Sequence, residues 1–130
     1  TMKRTNPQQG DVIIDCPPGT ACSMAASVAD CDYCILVTEP NVFGHHDLNL
    51  AIQVVKQLGL PVGVVINKSD QGAGDAWITE LCSQHTIPVL AQIPYSREFA
   101  AIYSAGMIQN HFSDIAKAIW NQIEAEVKAQ

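Results

Sequence analysis

Four short apolar runs, at residues 12–15, 33–38, 62–67 and 89–93, constrain the fold of this chain more than any other feature. Each is continuous rather than alternating, as suits strands covered on both faces. The segments between them carry apolar residues at helical period. Leu48, Ala51, Ile52, Val55 and Leu58 form one stripe, closed by Gly59 and Pro61 as a helix stop. Trp77, Ile78, Leu81 and Cys82 mark a second face. A third runs through Phe112, Ile115, Ala116, Ile119, Ile123 and Val127, with Ser113 or Asn110 placed to cap its start. Phe99, Ile102 and Tyr103 predict a short helix ended by Gly106. Strands and helices alternating at this length predict a three-layer α/β fold, a parallel sheet with flanking helices and right-handed crossovers. Ligands in such sheets sit beyond the carboxyl ends of the strands.

Composition agrees. A chain of 130 residues with 48% hydrophobic and 15% charged residues buries a core in one domain and is not disordered. The apolar runs are too short to span a membrane. A net charge of -6 argues against general nucleic-acid binding, which needs a basic surface. Residues 1–10 are polar and read as a linker, an expression remnant or the end of a preceding domain, leaving 11–130 as the folded unit. No secretory signal is visible, and five cysteines, an odd number, fit free thiols in the cytoplasm. Cys31 and Cys34 form a lone C-x-x-C without the further ligands a metal site needs, so packing is the better account of them. Cys16 and Cys22 become reactive only in electropositive surroundings. Glu39 with His45 and His46 fits capping and loop packing rather than a metal site, because adjacent histidines on a helix point in different directions. Trp77 is expected in the core and Tyr95 at a pocket edge.

The carboxyl ends of the four runs carry the candidate chemistry. The first ends in Asp15-Cys16-Pro17-Pro18-Gly19-Thr20. An aspartate at the end of a buried strand needs a cationic or hydrogen-bonding partner. In phosphate-binding α/β proteins that partner is Mg²⁺, held through water, and the turn after it senses a terminal phosphate through the glycine N–H. An exposed aspartate before an ordinary turn uses the same residues. No G-x-x-x-x-G-K-[ST] loop occurs, so the acidic motif stands without a phosphate cradle, as in half of a nucleotide-binding domain. The other ends are Thr38-Glu39-Pro40, Asn67-Lys68-Ser69-Asp70 and Pro94-Tyr95-Ser96. The Asn67 amide offers a purine both a donor and an acceptor. Asp70 suits the exocyclic amine of guanine, and equally an Asx turn.

Asp15 to Thr20, the run from Val37 through Glu39-Pro40-Asn41 to Leu48, Asn67-Lys68-Ser69-Asp70 and Ile93-Pro94-Tyr95 together resemble the MinD/ParA class of P-loop ATPases, the CobQ/CobB/MinD/ParA nucleotide-binding domain. The branch most similar carries an inserted ferredoxin-like iron–sulfur module. The resemblance covers nearly all of the chain after the first ten residues, and it implies the part of the domain that follows the insert. It implies that Asp15 holds Mg²⁺ through water and that Pro18 and Gly19 belong to the loop answering the γ-phosphate. Asn67 would contact adenine, with the backbone at Pro94 and Tyr95 bordering the base. Asp70 is spelled for guanine, whereas this class generally uses ATP. The phosphate-loop lysines and the cluster cysteines have no counterpart here. ATP, Mg²⁺ and the iron–sulfur cluster therefore belong to the complete protein, and this chain alone is expected to hold none of them tightly and to be inactive. In the resembled class the phosphate-loop strand lies between the strands matching residues 12–15 and 33–38. Its absence predicts a dimer, or another chain, filling that slot, and an altered position for residues 12–15. A non-catalytic α/β interaction module and a GTP-binding domain are the alternatives.

Overall fold

Three of the four apolar runs become strands in the computed structural model, which describes residues 10–18, 22–95, 97–106 and 108–128. They are β1 (Cys34–Thr38), β2 (Val62–Ser69) and β3 (Val89–Pro94), parallel throughout and ordered β1-β2-β3. Helix α1 (Cys22–Val28) leads into β1, α2 (Val42–Gln57) joins β1 to β2, and α3 (Ala73–Gln84) joins β2 to β3. Helices α4 (Arg97–Ser104) and α5 (Ile108–Lys128) follow. Among the described residues no helix is long and apolar enough to cross a membrane.

The ends of α2 follow from local chemistry. Asn41 caps its start, its side-chain oxygen accepting the Gly44 N–H at 2.8 Å. At its end the Gly59 N–H donates to Lys56 O and the Leu60 N–H to Val55 O, with Gly59 at φ 69°. That pattern is a Schellman stop, and only the glycine takes its left-handed turn without strain.

Period-two burial divides the sheet between two cores. Cys34, Val62, Val64 and Ile66 face Met24 and Val28 of α1, Leu48, Ile52 and Val55 of α2, and Ile78, Leu81 and Cys82 of α3. On the other face Val65 and Leu90 meet Ile123 of α5, with Tyr33, Ile93 and Ile119 around them. The Tyr33 hydroxyl donates to Glu126 at 2.6 Å, fastening α5 to the entrance of β1. Cover on this second face stops short of β1, where Ile35 and Val37 are exposed.

The expectation for residues 12–15 is corrected. They join no strand among the described residues, and Ile13 is 83% exposed. A parallel strand is held by a ladder to its neighbour, and no described element supplies the strand that the resemblance sets between this run and β1. Pro17 and Pro18 also lack the N–H groups that would carry a ladder past Cys16. Trp77 is likewise corrected: it is 52% exposed, on the solvent side of α3, while Ile78 beside it is fully buried. Asn110 and Ser113 lie inside α5 rather than at its cap, because the helix begins at Ile108. Gly19, Ser96 and residues 1–9 lie outside the described residues.

Candidate functional site

The carboxyl ends of the three strands form the candidate site, and a bulge shapes it. Between the pairs Ile66↔Gln92 and Ser69↔Pro94, three steps along β2 oppose two along β3. The extra residue falls at Asn67 and Lys68, where Lys68 takes the left-handed conformation at φ 51°. A non-glycine residue in that region signals a locally over-determined backbone. Here the determinant is Asp75. Its buried carboxylate accepts the Ser69 hydroxyl through Oδ2 and the Asp70 N–H through Oδ1 at 3.2 Å. Asp75 lies in the first turn of α3, where a carboxylate is favoured by the helix dipole. Helix α3 starts close behind this loop: a Cβ on Gly74 would overlap the Pro40 carbonyl oxygen.

Asp70 is exposed, and its Oδ1 accepts the Gly72 N–H at 2.8 Å, an Asx turn. That N–H above all, followed by contacts from Asp75, holds the Asp70 carboxyl below the usual carboxylate range. The Tyr95 N–H donates to Ser69 O at 3.2 Å, which ties the end of β3 to the same turn. Asn67, Asp70, Pro94 and Tyr95 are thus brought together at one end of β2 and β3. Tyr95 is 66% exposed at the rim. Asn67 is half-buried, and its side-chain amide has no hydrogen-bond partner among the described residues.

One ion pair across this end was not legible in the sequence. Lys68 Nζ lies 3.0 Å from Glu39 Oε1, joining the end of β2 to the end of β1. The hydrogen bond and charge of Glu39 raise the Lys68 pKa. Glu39 also accepts from Asn41 Nδ2 at 3.4 Å, so its carboxylate is engaged away from His45 and His46. Among the described residues no group of three His, Cys, Asp or Glu side chains could hold a metal ion. Asp75 was missed as well. The one available signal was an acid three residues after Gly72 at a helix start, the spacing of a capping box.

Asp15 and Pro18 are not brought to this end of β2 and β3. Asp15 is exposed in the coil before α1, and Pro17 and Pro18 form one wall of a groove of about 600 Å³ along the outer edge of β1. Cys16 packs against the core from this wall. Cys34 opens β1 and is buried, its thiol pushed up to about 11 by burial, then by Cys16 and Cys31. Cys31 sits in the turn before it, with Sγ donating to Ser27 O at 3.8 Å.

No family model matches the chain. Over 116 residues it is 28% identical to an uncharacterized protein of Methanocaldococcus jannaschii, a match taking in 83% of this chain. The chain spans 39% of that relative's length. No solved structure matches it.

Proposed function

We propose that this chain is the base-binding part of an ATP-binding domain of the MinD/ParA kind, and that its ligand is the adenine end of a nucleotide. The observation that carries the reading is the half-buried amide of Asn67, unengaged among the described residues, at the end of β2 to which the Tyr95 N–H is tied through Ser69 O. The Asn67 amide keeps its donor and its acceptor open to solvent, and a purine edge offers it both an acceptor and a donor. Adenine rather than guanine is what the resemblance implies, since its class generally uses ATP. Asp70 Oδ1 accepts one N–H from Gly72 and its carboxylate keeps lone pairs on both oxygens, so Asp70 does not choose between the bases.

The donor set fits a base and not a triphosphate. Asp15 is a single exposed carboxylate, and Lys68 is paired with Glu39. Positioning and charge neutralisation of a γ-phosphate need a cradle, a cation and Mg²⁺ together. These residues supply only the second acidic motif of such a centre. Magnesium and the phosphate loop belong to the complete domain, and so does any iron–sulfur module.

The test is a ¹H–¹⁵N titration of the 130-residue chain with adenosine and with guanosine at millimolar concentration, where weak binding is readable. Adenosine is expected to shift the resonances of Asn67, Ser69 and Tyr95, guanosine to shift them less, and Asn67→Ala to remove the response. Shifts scattered over the surface, or a stronger response to guanosine, would overturn the reading.

A further inference from the structure

Lys68 brings a positive charge to the end of β2 that carries Asn67, and Glu39 already occupies it, with Nζ 3.0 Å from Oε1. Both partners stand on fixed backbone. The Asn41 N–H donates to Glu39 O at 2.9 Å, and the Thr38 hydroxyl donates to Gly44 O at 3.1 Å. A Cβ on Gly44 would overlap the Glu39 carbonyl oxygen, so α2 starts hard against this residue. Asn41, which caps α2, also donates from Nδ2 to Glu39 Oε2 at 3.4 Å. On the other side Lys68 sits in the bulge, one residue before the Ser69 that Asp75 holds.

The pair is open to water, its side chains 54% and 43% exposed, and such a contact adds little to stability. Its consequence lies in competition. A carboxylate already in place acts on the ammonium as an intramolecular ligand, and an anion free in solution displaces it only by matching its high effective concentration. The surrounding charge acts the same way, since the exposed Asp70 and the buried Asp75 are also acidic. A nucleotide has two ends of opposite character, an uncharged base that hydrogen-bonds and a phosphate that seeks a cation. We propose that Glu39 is the residue that selects between them: by occupying Lys68 it denies this end to phosphate and leaves Asn67 to the base. The inference rests on the reading of Asn67 as a base contact. Arg97, two residues after Tyr95, opens α4 and is exposed. Among the described residues no ion pair joins it to Glu39, so its pull on an anion is the same whether or not Glu39 is charged.

Titration of the 130-residue chain with inorganic phosphate at constant ionic strength, followed in ¹H–¹⁵N spectra, tests this. In the wild type, millimolar phosphate is expected to leave the Lys68 and Ser69 amides in place. Glu39→Gln keeps an oxygen for Asn41 and removes the charge, and the same amides are expected to shift at a phosphate concentration about fivefold lower than the wild type needs. Glu39→Gln combined with Lys68→Met is expected to lose that response. Both side chains reach water, and the dispersion of each spectrum reports that the variant is folded. Equal phosphate responses in the wild type and Glu39→Gln, or a response of Glu39→Gln that survives Lys68→Met, would overturn the inference and leave the base reading standing. Adenosine that fails to shift Asn67 in the wild type would overturn the base reading, and this inference with it.

Discussion

Asp75 is the residue on which the candidate site depends most, although it faces the protein rather than any ligand. Its carboxylate is the acceptor for both the Ser69 hydroxyl and the Asp70 N–H. Asp75→Ala leaves that hydroxyl buried beside an apolar methyl, at a cost of about 2–3 kcal/mol. A matching fall in the urea midpoint is the measurement, and an unchanged midpoint would show that water replaces the carboxylate freely. Gly74 sets two effects against each other. Alanine gains about 1 kcal/mol in helix propensity. Its Cβ, however, would overlap the Pro40 carbonyl oxygen, backbone that cannot swing aside like a flexible side chain. Overpacking of this kind costs about 1–3 kcal/mol. Gly74→Ala is therefore expected to lower the denaturation midpoint, and a rise would mean that the β1–α2 loop yields easily.

At the scale of elements, the sequence was legible where one pattern settled both type and position. The continuous runs at 33–38, 62–67 and 89–93 became β1, β2 and β3, and Gly59 ended α2 by the turn its position suggested. Residues 12–15 carry the same apolar pattern and are not a strand, because a strand needs a neighbour and a run of residues does not encode one. Trp77 failed differently: it sits next to Ile78 on a helix, and only the wheel position decides which of the two faces the sheet. Ile78→Ala is expected to cost about 2–5 kcal/mol. Trp77→Ala should stay within about 0.5 kcal/mol. Chemical denaturation of the two variants separates them, and equal losses would put Trp77 back in the core. The buried thiol of Cys82, on the same helix face, makes stability depend on pH. Burial pushes it from the ordinary 9.0 to about 11. Between those values the unfolded chain releases a proton that the folded chain keeps, so stability is full below pH 9 and falls as pH rises toward 11. Cys82→Ala should flatten that slope, as measured by urea midpoints on both sides of the window. A slope unaffected by the substitution would assign the titration elsewhere, with Cys34 the next thiol to replace.

At the scale of the whole molecule, four of the candidate site residues lie at one end of β2 and β3 and the acidic motif lies apart from them. Asn67, Asp70, Pro94 and Tyr95 meet there, whereas Asp15 stands exposed before α1. The spelling of Asp15 to Thr20 was legible, but its place relative to that end of β2 and β3 was not, since the resemblance makes it depend on a strand between residues 12–15 and β1. This separation decides what the isolated chain can do with ATP. Transfer of a γ-phosphoryl group requires the attacking water, the phosphate oxygens and their neutralising charges to be fixed together, and most of the acceleration comes from that positioning. Lys68 is held by Glu39, and Asp15 is a lone carboxylate that water solvates freely. The 130-residue chain is therefore expected to release phosphate from Mg·ATP no faster than buffer, and Asp15→Ala to change nothing. Phosphate release followed over hours at high protein concentration is the measurement. Turnover that requires Mg²⁺ and disappears in Asp15→Ala would mean that Asp15 reaches a working phosphate site without the loop and strand the resemblance assigns to it.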